Sequence, residues 1–298
     1  MIKNSQNSDI EVRKAQQEEQ QREIRERLEH IKSKIMVMSG KGGVGKSSVA
    51  AYLSVALTKR GFKVGLMDVD LHGPSIPRLL GLKGTVRPGN YEGKMLPVQY
   101  FSNMEVISIE TLMGDKDAAT IWRGPLKGGV IRQFIADIEW GDLDFLIIDS
   151  PPGTGDEPLT VAQTISDAKA LIVTTPQEIS LADVRKSINF CRQVNMRILG
   201  LVENMSGLKC PYCGKLIDLF KSRGGEVTAK KENLRLLATL PFEPEVVKEG
   251  DAGDTSLLDN DGLLITQEFN KLVNEIVKLT ETETLSLRND RKDISQVV

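Results

Sequence analysis

The sequence predicts an α/β fold: a doubly wound, mostly parallel sheet with helices on both faces, preceded by a short N-terminal helix. Short apolar runs (35–38, 145–148, 170–174 and 198–203) alternate with stretches whose apolar residues fall at helical spacing. The first run leads into Ser39-Gly40-Lys41-Gly42-Gly43-Val44-Gly45-Lys46-Ser47-Ser48. A glycine-dense turn that feeds a helix gathers backbone N–H groups around an anion, with the positive end of the helix dipole behind them. Two further runs end in acids, Asp68 and Asp149. Carboxylates at the C-terminal ends of parallel strands sit over the crevice where such sheets bind ligands.

Composition narrows the function classes. A chain of 298 residues can bury one substantial core, and its length permits a second domain. A net charge of −2 gives no bulk electrostatic case for nucleic acid or an anionic membrane. No apolar run approaches the ~18 residues of a membrane span, and the N-terminus is polar rather than signal-like. Three cysteines, two of them in Cys-x-x-Cys, fit a reducing compartment, so a cytoplasmic location is expected.

Residues 1–33 are rich in Gln, Glu, Lys and Arg. Ile24, Leu28 and Ile31 are spaced for an amphipathic helix leading to the first strand, whereas Glu11 to Glu26 has almost no apolar stripe and reads as frayed and solvated. His30 reads as a surface residue without a role. In the glycine-rich loop, Gly40, Gly45, Lys46 and Ser47 satisfy G-x-x-x-x-G-K-[ST]. In this pattern the lysine reaches the terminal phosphates and the hydroxyl ligates Mg²⁺, while Gly42, Gly43, Val44 and Ser48 complete the cradle. Gly40, Gly42 and Gly45 also fit the dinucleotide pattern G-x-G-x-x-G, but such a site has no use for Lys46 followed by two hydroxyls. The loop is read as binding a nucleoside triphosphate. Lys41 has two readings: a solvated loop charge, or a cation that reaches the nucleotide of a facing subunit as an arginine finger does.

The loop helix stops near Lys59-Arg60-Gly61. The strand from Lys63 to Asp68 runs into Asp68-Val69-Asp70-Leu71-His72-Gly73-Pro74-Ser75. Asp68 and Asp70 could share a face, Asp70 orienting the attacking water and Asp68 supporting Mg²⁺; either could instead cap the next helix. His72 reads as turn packing. Residues 81–100 suggest a hairpin-like excursion, followed by a strand over Met104 to Ile109 and a helix over Gly129 to Trp140. Asp149 ends the next strand as the carboxylate that holds Mg²⁺, usually through water. Ser150-Pro151-Pro152-Gly153-Thr154-Gly155-Asp156 reads as a switch loop, where Gly153 lets backbone approach the γ-phosphate, and Asp156 as a helix cap. A helix is expected from about Ser180 to Val194, with Cys191 a buried structural thiol. Asn204, at the end of the 198–203 strand, carries an amide that could read an adenine edge or serve as a turn residue. Beyond it come a helix over Glu226 to Ala238, a short strand at Thr239-Leu240-Pro241-Phe242, and a closing helix with Ile265, Phe269, Leu272, Val273, Ile276 and Val277 on one face. The chain thus divides into a charged helix or tail (1–33), a nucleotide-binding domain (34–280) and a polar tail (281–298).

Cys210-Pro211-Tyr212-Cys213-Gly214 admits four readings. Half a structural zinc site lacks two further ligands, because the chain offers only Cys191 and two distant histidines. A thioredoxin-type pair belongs at a helix N-terminus in its own βαβ unit, and two unreactive thiols do not explain the Pro and Gly framing. A cluster bridged between two chains fits the ligand count: an iron–sulfur cluster wants four thiolates, and a two-fold axis through two Cys-x-x-Cys loops supplies them. The same axis would set Lys41 opposite the partner's phosphates. Zinc at the same four cysteines remains open.

The lysine-bearing loop resembles the deviant Walker A motif of dimerising P-loop ATPases, including MinD, ParA and the nitrogenase iron protein. Over about Lys34 to Phe269 the chain is similar to the Mrp/ApbC group of that superfamily. The match rests on the loop, Asp68-x-Asp70-x-x-Gly73-Pro74-Ser75, Trp122-Arg123-Gly124-Pro125, Asp149-x-Pro151-Pro152-Gly153-Thr154-Gly155-Asp156, Glu203-Asn204-Met205 and Cys210-Pro-x-Cys213-Gly214. The resemblance implies ATP binding and slow Mg²⁺-dependent hydrolysis across a homodimer. It also implies a [4Fe-4S] cluster held by Cys210 and Cys213 for apo-protein targets, an adenine-reading role for Asn204 and the partner-reaching role for Lys41. The chain departs from some members in lacking an N-terminal ferredoxin-like cysteine set, and 250–255 lacks a proline expected near its end. The rival reading is a MinD/ParA-like positioning ATPase on membrane or DNA, but it gives the cysteine pair no task, and 281–298 is not a basic amphipathic tail. An electron-transfer reductase like the nitrogenase iron protein would keep its cluster cysteines apart and near the switch loop.

Overall fold

A computed structural model describes residues 16, 18–113, 124–210, 213, 215–217 and 223–295. Its centre is an eight-stranded sheet in the order β12-β9-β8-β1-β7-β2-β6-β5. The strands are β1 (Ile31–Ser39), β2 (Val64–Asp68), β5 (Val98–Phe101), β6 (Met104–Ile107), β7 (Leu143–Asp149), β8 (Lys169–Thr174), β9 (Arg197–Glu203) and β12 (Leu236–Thr239). Every pairing is parallel except the edge pair β5/β6. The expected doubly wound sheet is therefore present.

The alternation of side chains across a strand explains the two cores. Ile35 and Val37 of β1 face α2 (Lys46–Lys59) and α10 (Leu264–Ser295), while Met36 and Met38 face the opposite layer. That layer comprises α5 (Gly124–Ala136), α6 (Asp156–Thr164), α7 (Glu178–Gln193) and the N-terminal helix α1 over 18–29. Because both faces are covered, the central strands are apolar throughout. Helix α2 is buried along almost its whole length, and its Tyr52 ring meets Phe269 of α10 edge-on at 5.8 Å. Thus α2, which carries the loop's outgoing end, is fixed by packing on several sides.

Several boundaries differ from the sequence reading. Ile31 begins β1 instead of ending a helix. Helix α1 is docked: Ile24 and Leu28 are buried, and Arg27 donates to the Trp140 carbonyl at 3.1 Å. Full burial of two such side chains contributes about 1.5–3 kcal/mol each, enough to seat a helix whose other faces are charged. Strand β6 ends at Ile107 and α4 (Ile109–Met113) follows. Helix α5 begins at Gly124, earlier than its apolar stripe suggests. The α3 turn (Ile76–Leu79) follows the second acidic segment, and the excursion contains the small antiparallel pair β3 (Arg87–Pro88) and β4 (Met95–Leu96). After β9 come the hairpin strands β10 (Leu208–Lys209) and β11 (Leu216–Ile217), α8 (Gly224–Glu232) and α9 (Pro244–Ala252). The last strand comes before Pro241 because proline cannot donate to the ladder. Helix α10 continues to Ser295, through most of the segment read as a tail. Trp122, Arg123, Pro211, Tyr212 and Gly214 lie outside the described residues. Among the described residues no helix is long and apolar enough to cross a membrane.

Candidate functional site

From β1 the chain steps to β2 on one side, and β8 flanks β1 on the other, so the end of β1 is a topological switch point. The register brings the important strand ends level. Asp149 pairs with Asp68 and with Val37, and Thr174 pairs with Glu203. The glycine-rich loop leaves β1 over this row, with Gly43 and Gly45 at φ +77° and +76°, values that only glycine adopts without strain.

Two adjoining cavities meet at Gly45 and Ser48. One, about 310 Å³, is lined by Lys41 to Ser48, Asp70 and Pro152. The other, about 200 Å³, is walled by Tyr52, Met205, Phe242, Val246 and Phe269, with Asn204 at the shared edge. A cationic cleft of backbone donors next to an apolar slot matches the two ends of a nucleotide, phosphates in the first and base in the second.

Lys46 is buried and forms an ion pair with the wholly buried Asp149, and its Nζ lies 3.2 Å from Ser47 Oγ. The second Asp149 oxygen, Oδ2, is buried without a hydrogen-bond partner. That orphaned oxygen beside the Ser47 hydroxyl makes a hard-oxygen donor set suited to Mg²⁺. Asp68 is fully buried, accepting from Asp70 N at 3.1 Å and Ser108 Oγ at 3.2 Å. Asp70, half-buried, opens on the phosphate cleft and accepts from Gly73 N at 3.3 Å, so it also holds its own turn. Gly153, at φ +90°, donates to the Ser39 carbonyl at 2.8 Å, which ties the segment after Asp149 to the end of β1. Lys41 Nζ reaches Gln177 Oε1 at 3.4 Å. Asn204 Nδ2 donates to the Val44 carbonyl at 2.9 Å, so its amide braces the phosphate loop itself.

Burial, then the charge of Asp149, pushes the Asp68 carboxyl well above the usual carboxylate range, with Lys46 opposing. Burial raises Asp149 too, again with Lys46 opposing. Asp68 is the more strongly raised of the two, because Asp149 faces the ammonium directly. A carboxyl raised in the folded state contributes stability that is complete below its unfolded value, about 4, and lost as pH rises through the folded one. Unliganded protein is therefore expected to lose stability as pH climbs above about 4 from this source. Urea denaturation at several pH values should show that slope flattened in Asp68→Asn; an unaltered slope rejects the assignment.

Two expectations need correction. His72 is exposed, with its ring 3.9 Å from Glu157, so it does not pack the turn. The N-cap of α6 is Gly155, leaving Asp156 in the first helical turn, where it favours the dipole without capping. His30 is a surface residue as expected, although its Nδ1 lies 2.8 Å from Asp142. Cys191 is buried against Met38, and burial pushes its thiol up to about 12. Tyr52, Gln177 and Ser108 were not legible as site residues, since no spacing rule links them to the loop. Glu203 could have been suspected as a third acid ending a buried strand.

The cysteine pair sits at the turn of the β10/β11 hairpin. Cys210 N donates to the Lys215 carbonyl at 2.8 Å, closing the loop. Cys210 is half-buried and Cys213 exposed, and neither forms a disulfide. Among the described residues no group of three or more His, Cys, Asp and Glu is arranged to hold a metal.

Comparison with known proteins agrees with this architecture. Residues 30–277 match the family described as ParA: NUBPL iron-transfer P-loop NTPase. An iron–sulfur cluster carrier protein of Methanocaldococcus jannaschii is 44% identical over 264 residues, covering 88% of this chain and 90% of the relative. A nucleotide-binding protein of Archaeoglobus fulgidus, solved with ADP, superposes with a TM-score of 0.69 at 42% identity, over 78% of this chain and 91% of that one. The cell-division ATPase MinD of Pyrococcus furiosus is more distant, at 28% identity and a TM-score of 0.61, over 83% and 99%. On the extent of these matches, and with its phosphate loop at the switch point of a parallel sheet, the chain belongs to the NUBPL iron-transfer P-loop NTPase family.

Proposed function

We propose that this protein is an ATP-dependent iron–sulfur cluster carrier that works as a homodimer. Each subunit contributes Cys210 and Cys213 to a shared [4Fe-4S] cargo, which is then handed to apo-protein targets. The observation that carries this reading is the β10/β11 hairpin, which carries two free thiols three positions apart, Cys210 half-buried and Cys213 exposed. Four thiolates are needed, so two copies of the hairpin complete the set. The family relationship supports the same cargo.

In this reading ATP lies with its phosphates under the N–H groups of Gly40 to Ser48 and its base in the apolar slot beside Asn204. Ser47 and Asp149, with Asp68 behind them, are the residues that would hold Mg²⁺, which supplies charge neutralisation for the β- and γ-phosphates. Lys46 leaves Asp149 for the phosphates. Asp70 orients the attacking water, and Gly153 brings switch-loop backbone towards the γ-phosphate. Lys41 leaves Gln177 and crosses to the partner's nucleotide, where its charge stabilises the departing phosphoryl group. Loss of the γ-phosphate removes that cross-contact and loosens the dimer around the cargo. The positioning-ATPase reading receives no comparable support, because it leaves the paired thiols without a task.

The test is anaerobic reconstitution with iron and sulfide. Native protein should gain a broad absorbance near about 400 nm, as protein-bound clusters do, and elute as a dimer with about four irons per pair of chains. Cys213→Ser should lose the absorbance and iron while retaining ADP binding. A monomer that keeps iron and sulfide sinks the shared-cargo reading.

A further inference from the structure

One buried carboxylate joins the nucleotide cleft to the cysteine hairpin. Glu203 ends β9 with 1% exposure, one residue before Asn204. Asn204 holds the phosphate loop through the Val44 carbonyl. The fit there is close: a Cβ at Gly45 would stand 2.3 Å from Asn204 Nδ2. Glu203 grips the other side. Its Oε1 accepts from Ser206 Oγ at 2.6 Å, in the loop between β9 and β10, and its Oε2 accepts from Gly225 N, in the first turn of α8.

One side chain therefore holds Ser206, two residues before the hairpin, and the first turn of α8, the next element after it in the chain. Gly225 lies in the first turn of α8, so the carboxylate also meets the positive end of that helix. A Cβ there would lie 2.8 Å from Glu203 Oε2, so glycine is needed for the approach. Met205, between Asn204 and Ser206, has φ +57°, and Arg223, just before α8, has φ +69°. Side chains rarely adopt that backbone region, and the stem is held in it by Glu203 together with the backbone bonds of Ser206 N to the Leu240 carbonyl and of Phe242 N to the Gly207 carbonyl, each 2.8 Å. Met205 also walls the slot read as the base site.

We infer that Glu203 is a positioning residue that couples nucleotide occupancy to the geometry of the Cys210/Cys213 hairpin. The direction of the coupling rests on the proposed carrier function, but its path lies within a single chain. Nucleotide in the cleft fixes Asn204 and Met205. The adjoining carboxylate passes that order to Ser206 and Gly225, and the hairpin stem opens less often.

The coupling can be read without a cluster. Cys191 is buried, so a thiol-specific reagent reports on Cys210 and Cys213 in apo-protein. ADP is the probe, because it lacks the γ-phosphate on which dimer closure depends. ADP should slow labelling of native protein by about 5-fold or more, the lower edge of typical coupling between two sites. Glu203→Ala should label quickly and at one rate with or without ADP, while its ADP affinity stays within about 2-fold and its α/β circular dichroism is retained. Glu203→Gln, whose amide can still accept from Gly225 and donate to Ser206, should recover most of the response. Ser206→Ala, which removes one grip without touching the strand, should fall between native and Glu203→Ala. Labelling of native protein that ignores ADP overturns the inference, as does an undiminished ADP response in both Glu203→Ala and Ser206→Ala. If reconstitution fails in native protein, the cargo reading fails while the labelling result still decides the coupling.

Discussion

Replacing Lys46 with alanine is expected to abolish measurable nucleotide hydrolysis and to weaken the unliganded fold as well. The catalytic loss follows from the proposed role: removing one pre-placed donor at a developing charge typically lowers kcat by about 10²–10³-fold. The loss of stability follows from what is on display without nucleotide. Lys46 is the buried cation facing Asp149, and Asp68 lies next to that carboxylate across the β2/β7 register. Removing one partner of a buried pair costs about 3–5 kcal/mol when the other stays charged. Proton uptake limits that cost, so Lys46→Ala should be markedly less stable than native protein at pH 7 and closer to it at pH 5. The double variant Lys46→Ala/Asp149→Asn should regain stability at pH 7 without regaining hydrolysis. Chemical denaturation at both pH values, with phosphate release measured in parallel, tests each half. Equal stability deficits at pH 5 and pH 7 would falsify the electrostatic account.

Gly40→Ala should remove nucleotide binding through a backbone collision between the phosphate loop and α7. A Cβ on Gly40 would sit 2.2 Å from the Asp183 carbonyl carbon and 2.7 Å from Val184 N, both in the backbone of α7. Neither atom can rotate away, so loop or helix must shift. Overpacking of this kind costs about 1–3 kcal/mol. Because the loop forms the phosphate cleft, the displacement should appear chiefly as lost ADP affinity. Gly43→Ala is the contrast: a Cβ there meets nothing within 4 Å, and only its φ of +77° is unfavourable. Calorimetric titration with ADP should therefore show a much larger loss for Gly40→Ala than for Gly43→Ala. Similar losses would mean that loop conformation, and not contact with α7, dominates.

Local chemistry made much of this molecule legible. The apolar runs of β1, β7, β8 and β9 alternate with helical stretches, which is enough for a parallel sheet with both faces covered. The loop from Gly40 to Ser47 declares a phosphate site because each residue type has a task at a fixed offset. The burial of Cys191 and of the α10 stripe followed from their apolar neighbours. Boundaries were harder to read. Ile31 fits helix and strand periodicity equally, and its pairing with Leu143 decides for strand. The 281–295 stretch is polar, which conceals its continuation of α10, because helical hydrogen bonds are local and indifferent to polarity.

Sequence by itself therefore determined the sheet, the phosphate loop and the Cys-x-x-Cys pair, since each depends on residues close together in the chain. Only the tertiary structure decided which distant groups meet. It sets Lys46 on Asp149, Asn204 on Val44, and Glu203 on Ser206 and Gly225, which precede and follow the cysteine hairpin in the chain. Those contacts span from a few to more than a hundred residues of chain, and strand order and register, which no local pattern encodes, bring them within hydrogen-bonding distance.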